Sequence, residues 1–155
     1  MMIRAYQPTD KEAVLQLIRL NTPEYFAPAE EAELSLYLDE DSRYYFVVEE
    51  DGKIIGAGGI NFFPEESLAR ISWDLIHPDH QGRGIGGKLT QFRIAEIKKR
   101  TPVTEVQVRT SQLVYKFYEK QGFEVQNIVK DFWAPDYHLY DMRSLYSKHK
   151  IHKVN

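Results

Sequence analysis

Apolar and polar residues alternate over residues 2–6, MIRAY, which predicts a short strand. Val14, Leu15, Leu17 and Ile18 then recur at helical spacing behind Thr9 and Glu12, a Thr-x-x-Glu capping box. Asn21-Thr22-Pro23 stops this helix, and Pro28 opens a second over EEAELSLYLDE, whose early acids suit a helix N-terminus. The runs YYFVVEE and KIIGAGGINFF flank Asp51-Gly52 and predict a hairpin. Gly58 and Gly59 within the second run predict a bulge or a close approach. LARISWDLI, residues 68–76, is a further strand, ended by His77-Pro78.

A glycine run follows, then a helix to about Lys99 with Ile85, Leu89, Phe92 and Ile97 apolar. VTEVQVRT alternates as a strand. SQLVYKFYEKQG reads as a helix with Ser111 as its cap and Gly122 just past its end. FEVQNIVKDF and YHLYDMR are two late strands, and SKHKIHKVN is a basic tail. The order is strand, two helices, three strands, helix, strand, helix, two strands. That is a mixed α/β sheet domain with antiparallel and crossover connections, expected as one domain over 1–146 with the tail at 147–155.

Composition narrows the chemistry. A chain of 155 residues suits one core, and a net charge of −3 gives no basic excess for nucleic acid. Without cysteine, no disulfide, thiolate ligand or cysteine nucleophile is available. No stretch approaches the roughly 18 apolar residues of a membrane span, so the expectation is a soluble, cytoplasmic protein. His77 and His80 flank a Pro-Asp turn and His138 lies far along the chain. With no third ligand placed, they read as loop histidines, and no metal is expected.

The glycine run HPDHQGRGIGGKLT overlaps three phosphate-binding patterns. Gly82, Gly84 and Gly87 satisfy the dinucleotide spacing G-x-G-x-x-G, but no acid ends the next strand, QVRT. Gly82, Gly87 and Lys88 fit a nucleotide P-loop, but Leu89 stands where magnesium needs Ser or Thr, and Thr90 comes one residue late. A plain turn would need one glycine, not four in six positions. The third pattern is Gln81-x-x-Gly84-x-Gly86, placed between a strand and an amphipathic helix. A pyrophosphate needs backbone N–H donors with no side chain in the way. Glycines and a helix N-terminus supply that, with Arg83 and Lys88 at the rim.

This third pattern resembles the acyl-CoA loop of the GNAT N-acetyltransferases. Tyr118, Glu119, Lys120, Gly122 and Phe123 match the family's late Tyr-Glu-Lys-x-Gly-Phe segment, and the order of elements agrees from MIRAYQPTD to YHLYDMRSL. The resemblance implies the GNAT acyl-CoA N-acyltransferase fold: a central mixed, mostly antiparallel sheet of about seven strands flanked by about four helices. It implies acetyl transfer from acetyl-CoA, as co-substrate, to a primary amine. Ile76, His77, Gln81, Gly82, Arg83, Gly84, Ile85, Gly86, Gly87, Lys88, Ser111 and Tyr115 would bind acetyl-CoA. The N–H of Ile76 would face the developing oxyanion, and Tyr118 would protonate the departing thiolate.

Two positions depart from the family pattern. Ser111 stands where an Asn is frequent, and Arg70 where many members carry a glutamate base. Asp74 would share Arg70's face by alternation, with Ser72 between. Asp74, Glu65, Glu66 or water alone therefore compete for the role of base. These departures also allow an acyl-CoA-binding module without turnover. The acceptor stays open. Glu30, Glu31, Glu33, Asp39, Glu40 and Asp41 would suit a cationic amine or form a solvated face. Tyr25, Phe26, Phe62 and Phe63 would form an aromatic wall or core. The resemblance also allows a homodimer.

Overall fold

The computed structural model describes residues 1–100 and 105–144. Among these residues seven strands and four α-helices follow the expected order. They are β1 (Met2–Ala5), α1 (Lys11–Leu20), α2 (Glu30–Glu40), β2 (Tyr45–Glu50), β3 (Lys53–Phe63), β4 (Leu68–Ile76), α3 (Ile85–Arg100), β5 (Glu105–Thr110), α4 (Tyr115–Lys120), β6 (Glu124–Ala134) and β7 (Tyr137–Ser144). The sheet order is β1-β2-β3-β4-β5-β7-β6. Pairing is antiparallel at β1–β2, β2–β3, β5–β7 and β6–β7, and parallel at β4–β5. Among the described residues no helix is long and apolar enough to cross a membrane. Residues 103–104, expected to open the fifth strand, and the tail at 147–155 lie outside the described residues, as does the expected boundary at 146.

The chain divides into two compact units, residues 1–59 with 73–91, and residues 60–72 with those from 92 onward. In the first, Val14, Leu15, Leu17 and Ile18 of α1 and Leu34 and Leu38 of α2 form a core with Tyr45, Val47, Ala57 and Leu75. The helical stripe thus buries the predicted face. The hairpin turn also forms as its residues dictate: Asp51 and Gly52 both take positive φ between the paired residues Glu50 and Lys53. In the second unit Val106, Val108, Leu139 and Met142 are buried, with Val108 opposite Met142 across β5–β7.

Three local expectations are corrected, and the one at Gly58 and Gly59 is met in its second alternative. The Thr9–Glu12 box does not form. A single tight helical turn, Pro8–Asp10, precedes α1, and Asp10 accepts from the Gln7 N–H at 2.9 Å. Glu12 instead takes the Arg19 guanidinium at 2.6 Å. The hairpin's register shift lies at Val48/Glu49, away from Gly58 and Gly59, while Gly59 is a close approach: a Cβ there would lie 2.5 Å from Tyr45 Cδ1 and 2.8 Å from the Tyr37 hydroxyl. Ser111 does not cap a long helix. Its carbonyl accepts from Val114 and Tyr115 N–H in a turn, and α4 starts only at Tyr115. Finally, β4 is not one uninterrupted alternation. Trp73 sits at φ 54°, so the two-residue period linking Arg70, Ser72 and Asp74 breaks there.

Candidate functional site

The glycine loop lies wholly in the first unit. The end of β4 is anchored by His77 N–H donating to the Ile55 carbonyl at 2.8 Å. A tight turn over Pro78–His80 follows, in which His77 Nδ1 accepts from Asp79 N–H at 3.1 Å. The chain is extended at Gln81, and Gly82 and Gly84 both take φ 80°. A Cβ at either glycine would meet no atom within 4 Å. Only their backbone angles demand glycine from the protein's side, and the space beside them is open. The Gly84 carbonyl accepts from Lys88 N–H at 3.1 Å, so α3 begins there. Helix geometry leaves the first N–H groups, those of Ile85, Gly86 and Gly87, without intrahelical acceptors.

Ile85 is buried and seats the helix, whereas Gln81 to Gly84 and Lys88 are exposed. That combination suits a diphosphate: fixed donors, open approach and the positive end of a sixteen-residue helix. The P-loop alternative fails on side chains. Leu89 is in the core, and the Thr90 hydroxyl is buried and donates to the Gly86 carbonyl at 2.8 Å. Arg83, expected at the rim, donates to both Glu50 oxygens at 3.0 and 3.1 Å and meets His80 Nδ1 at 2.5 Å. Its charge is shared, and the same contact holds the Glu50 carboxyl below its ordinary value.

One residue of this site carries no sequence signal beyond a helix stop. Asn21 is buried, and its Nδ2 donates to the Leu17 carbonyl at 2.8 Å and the Ile76 carbonyl at 3.0 Å. Its Oδ1 accepts from Gln81 Nε2 at 3.2 Å. Asn21 therefore joins the end of α1, the end of β4 and the first residue of the loop. Two carbonyl acceptors fix the amide's orientation on chemical grounds, and Gln81 must then present its NH2.

The left-handed Trp73 is also held from within this unit. Tyr45 donates its hydroxyl to the Trp73 carbonyl at 2.8 Å. The Trp73 ring stacks on Phe26 at 6.4 Å and tilts against Tyr37 at 6.3 Å. Asp74 and Ile76 follow, both half-buried. Part of the acidic run is committed: Glu31 pairs with Arg19 and Asp39 with Lys11. Glu30 is buried and accepts from Ala27 N–H at 2.7 Å, and burial raises its carboxyl above the ordinary value.

The other expected residues belong to the second unit. Tyr118 is buried on α4, edge-on to Phe117 at 4.9 Å and to Phe123 at 5.9 Å. Tyr115 tilts over Tyr140 at 4.6 Å. The Ser111 hydroxyl accepts from Leu113 N–H at 3.2 Å. Glu65 and Glu66 stand exposed in a tight turn, Pro64–Glu66. Arg70 donates from Nε to Gln107 Oε1 at 2.7 Å and lies over the Phe63 ring at 4.6 Å. Phe26 and Phe63 of the supposed aromatic wall thus serve different neighbours. No cluster of metal-ligating side chains occurs among the described residues.

Known proteins resemble this chain in sequence and in fold. Amino-acid acetyltransferases of Mannheimia succiniciproducens and Aeromonas salmonicida are each 29% identical, over 91 and 122 residues, covering 59% and 78% of this chain. The chain spans only 20% and 26% of their lengths. A solved aminoglycoside 6'-N-acetyltransferase complexed with coenzyme A superimposes with a TM-score of 0.75 at 17% identity, covering 93% of this chain and 96% of the other. At that identity the likeness speaks for the fold. The model of the acetyltransferase (GNAT) domain matches residues 41–125, more than half of the chain and including the whole loop, so the chain belongs to the GNAT acetyltransferase family.

Proposed function

We propose that the protein is an acetyl-CoA-dependent N-acetyltransferase acting on a primary amine. The observation that carries this reading is the loop from Gln81 to Lys88, with two left-handed glycines beside open space at the start of α3. When bound, acetyl-CoA supplies an acetyl group activated as a thioester. Backbone N–H groups of Ile85, Gly86 and Gly87 hold its diphosphate, with Lys88 and Arg83 adding charge at the rim. Gln81, Gly82, Gly84 and His77 shape that cradle. The Ile76 N–H stabilises negative charge on the carbonyl oxygen.

The amine must lose a proton to react. An alkyl amine has a pKa near 10.4, so on the order of one molecule in a thousand or fewer is neutral at pH 7. Asp74 draws that proton away, directly or through water, with Glu65 and Glu66 as its rivals. Tyr118 gives its phenolic proton to the thiolate that leaves. Because the matched relatives are named amino-acid acetyltransferases, amino acids head the acceptor screen.

Thermal unfolding with acetyl-CoA, ATP or NAD added separately tests the reading first. A ligand at 100 times its dissociation constant adds about 2.7 kcal/mol. For a domain of this size that raises the midpoint by roughly 5–10 °C. The expected result is a shift with acetyl-CoA alone, followed by thiol release when an amine is added. A shift with ATP or NAD alone overturns the reading. Acetyl-CoA binding without thiol release from any amine favours the module without turnover.

A further inference from the structure

Two guanidinium groups of the second unit stand on one sheet face without an ionic partner among the described residues. Arg70 lies opposite Gln107 across the parallel β4–β5 pair, and Arg109 is two residues further along β5. Side chains alternate along a strand, so Arg70, Gln107 and Arg109 share a face, while Val106 and Val108 are buried on the other. On β7, Arg143 lies opposite Gln107 and Asp141 opposite Arg109, which brings both to the same face.

Two acids of this face, Glu105 and Asp141, are already engaged. Arg143 Nη1 donates to Glu105 Oε2 at 2.7 Å, and its Nε lies 3.6 Å from Asp141 Oδ1. Asp141 Oδ1 also accepts from Gln107 Nε2 at 2.8 Å. Gln107, its amide so oriented, offers its oxygen to Arg70 Nε. Arg70's remaining N–H groups have no hydrogen-bond partner among the described residues, and neither Arg70 nor Arg109 forms an ion pair there. Both are held by aromatic faces instead. Arg70 lies 4.6 Å over Phe63, and Arg109 lies 5.0 Å over Phe132 and 5.5 Å over Trp133.

Partly buried cations of like sign raise the energy of the site, and an anion between them lowers it. The same strain is visible at Arg70, whose basicity falls below the ordinary guanidinium value. Burial is the main cause and the charge of Arg109 the next, with Asp141 and Glu66 opposing them. A guanidinium with free N–H groups in a fixed plane is suited to a carboxylate, which it grips with two parallel hydrogen bonds.

We propose that Arg70 and Arg109 form a carboxylate-binding subsite, so that the amine this protein acetylates is a small molecule bearing its own carboxylate. The proposal rests on the N-acetyltransferase reading, in which Arg70 occupies the position that family resemblance assigns to a base serving the acceptor. A positive group there does not take a proton from the amine. It holds the acceptor by its acid end.

Matched acceptors test this directly. Lysine is compared with cadaverine, and alanine with ethylamine, each by thiol release from acetyl-CoA. One charge-assisted contact corresponds to about 10–100-fold, so the carboxylate-bearing member of a pair should lead in kcat/KM by about that factor. Arg70→Gln and Arg109→Gln should each shrink the lead, and Arg70→Lys should restore part of it. Equal rates within both pairs overturn the proposal, as does a lead that survives both variants. Weaker binding of CoA itself in the variants assigns the two arginines to a CoA phosphate and also overturns it.

If no amine releases thiol, the activity reading fails, and a binding measurement decides the subsite. Malonate should raise the unfolding midpoint of the wild type above sodium chloride of equal ionic strength, and Arg70→Gln and Arg109→Gln should abolish that rise. No rise, or a rise that persists in both variants, overturns the subsite. Should Arg70→Gln not fold, Arg109→Gln, whose guanidinium makes no hydrogen bond among the described residues, carries the same measurements.

Discussion

Asn21 accepts a hydrogen bond from Gln81 at 3.2 Å across sixty residues of sequence, while its own amide nitrogen holds the Ile76 carbonyl at 3.0 Å. One buried side chain thus sets the first residue of the glycine loop and the last residue of β4. The bond to Gln81 is a neutral one, of about 0.5–1.5 kcal/mol, or roughly 2–13-fold in affinity. Asn21→Ala and Gln81→Ala are each expected to weaken acetyl-CoA by about that factor. The double variant should be little worse than either, because both remove the same contact. Isothermal titration of the four proteins checks this, and fully multiplicative losses would separate the two residues. Asn21→Ala also strands the buried Leu17 carbonyl and the partly buried Ile76 carbonyl, so its unfolding midpoint should fall more than that of Gln81→Ala.

Gly82 and Gly84 offer a cleaner perturbation, because a methyl group at either position meets no protein atom within 4 Å. The cost of Gly84→Ala to stability is that of a left-handed alanine, about 1–2 kcal/mol. If the open space belongs to a diphosphate, the loss in acetyl-CoA affinity should exceed this strain, at about thirtyfold or more. Chemical denaturation and titration on one preparation separate the two quantities. An affinity equal to wild type would mean that the space beside the loop serves nothing.

Tyr118 is buried between Phe117 and Phe123, a setting that a core tyrosine would also occupy. The hydroxyl distinguishes the two roles. Tyr118→Phe keeps the ring and its edge contacts, so acetyl-CoA affinity should stay near wild type. Loss of the proton donor should lower turnover by about 10²–10⁴-fold. Single-turnover thiol release with an accepted amine measures it, and an unchanged rate removes Tyr118 from the chemistry.

The order of seven strands and four helices was legible because each element carries its own period, and because Asp51-Gly52 and Gly122 mark their turns with residues that tolerate positive φ. The glycine loop was legible for the same reason. Trp73 was not. Nothing local marks a tryptophan for φ 54°, which tertiary partners hold in place: the Tyr45 hydroxyl on its carbonyl, and Phe26 and Tyr37 on its ring. Arg83 read as a free cation because Glu50 lies thirty-three residues away. Asn21 read as a helix stop, and it is one. Its side chain does its second task through partners the chain reaches only when folded.

Asp10 gives the fold a measurable pH dependence. Its carboxylate accepts from Arg4 Nη1 at 2.9 Å, Arg4 Nη2 at 3.0 Å and Gln7 N–H at 2.9 Å. The hydrogen bonds from Arg4, first of all, hold its carboxyl below the ordinary value of 3.8, against the opposing effect of burial. A carboxyl depressed on folding contributes stability that is fully present above its unfolded pKa and is lost as pH falls through the lower folded value. Charge-assisted bonds of this kind are worth about 1.5–3 kcal/mol. Asp10→Asn should therefore cost about that much at pH 7. The gap between variant and wild type should narrow as the pH drops below about 4, where the carboxyl of the unfolded wild type takes up a proton while the folded one is still held ionised. Urea unfolding of both proteins from pH 7 to pH 3 measures the gap. A constant difference across that range would mean that shape and packing at Asp10, rather than its charge, sustain the turn before α1.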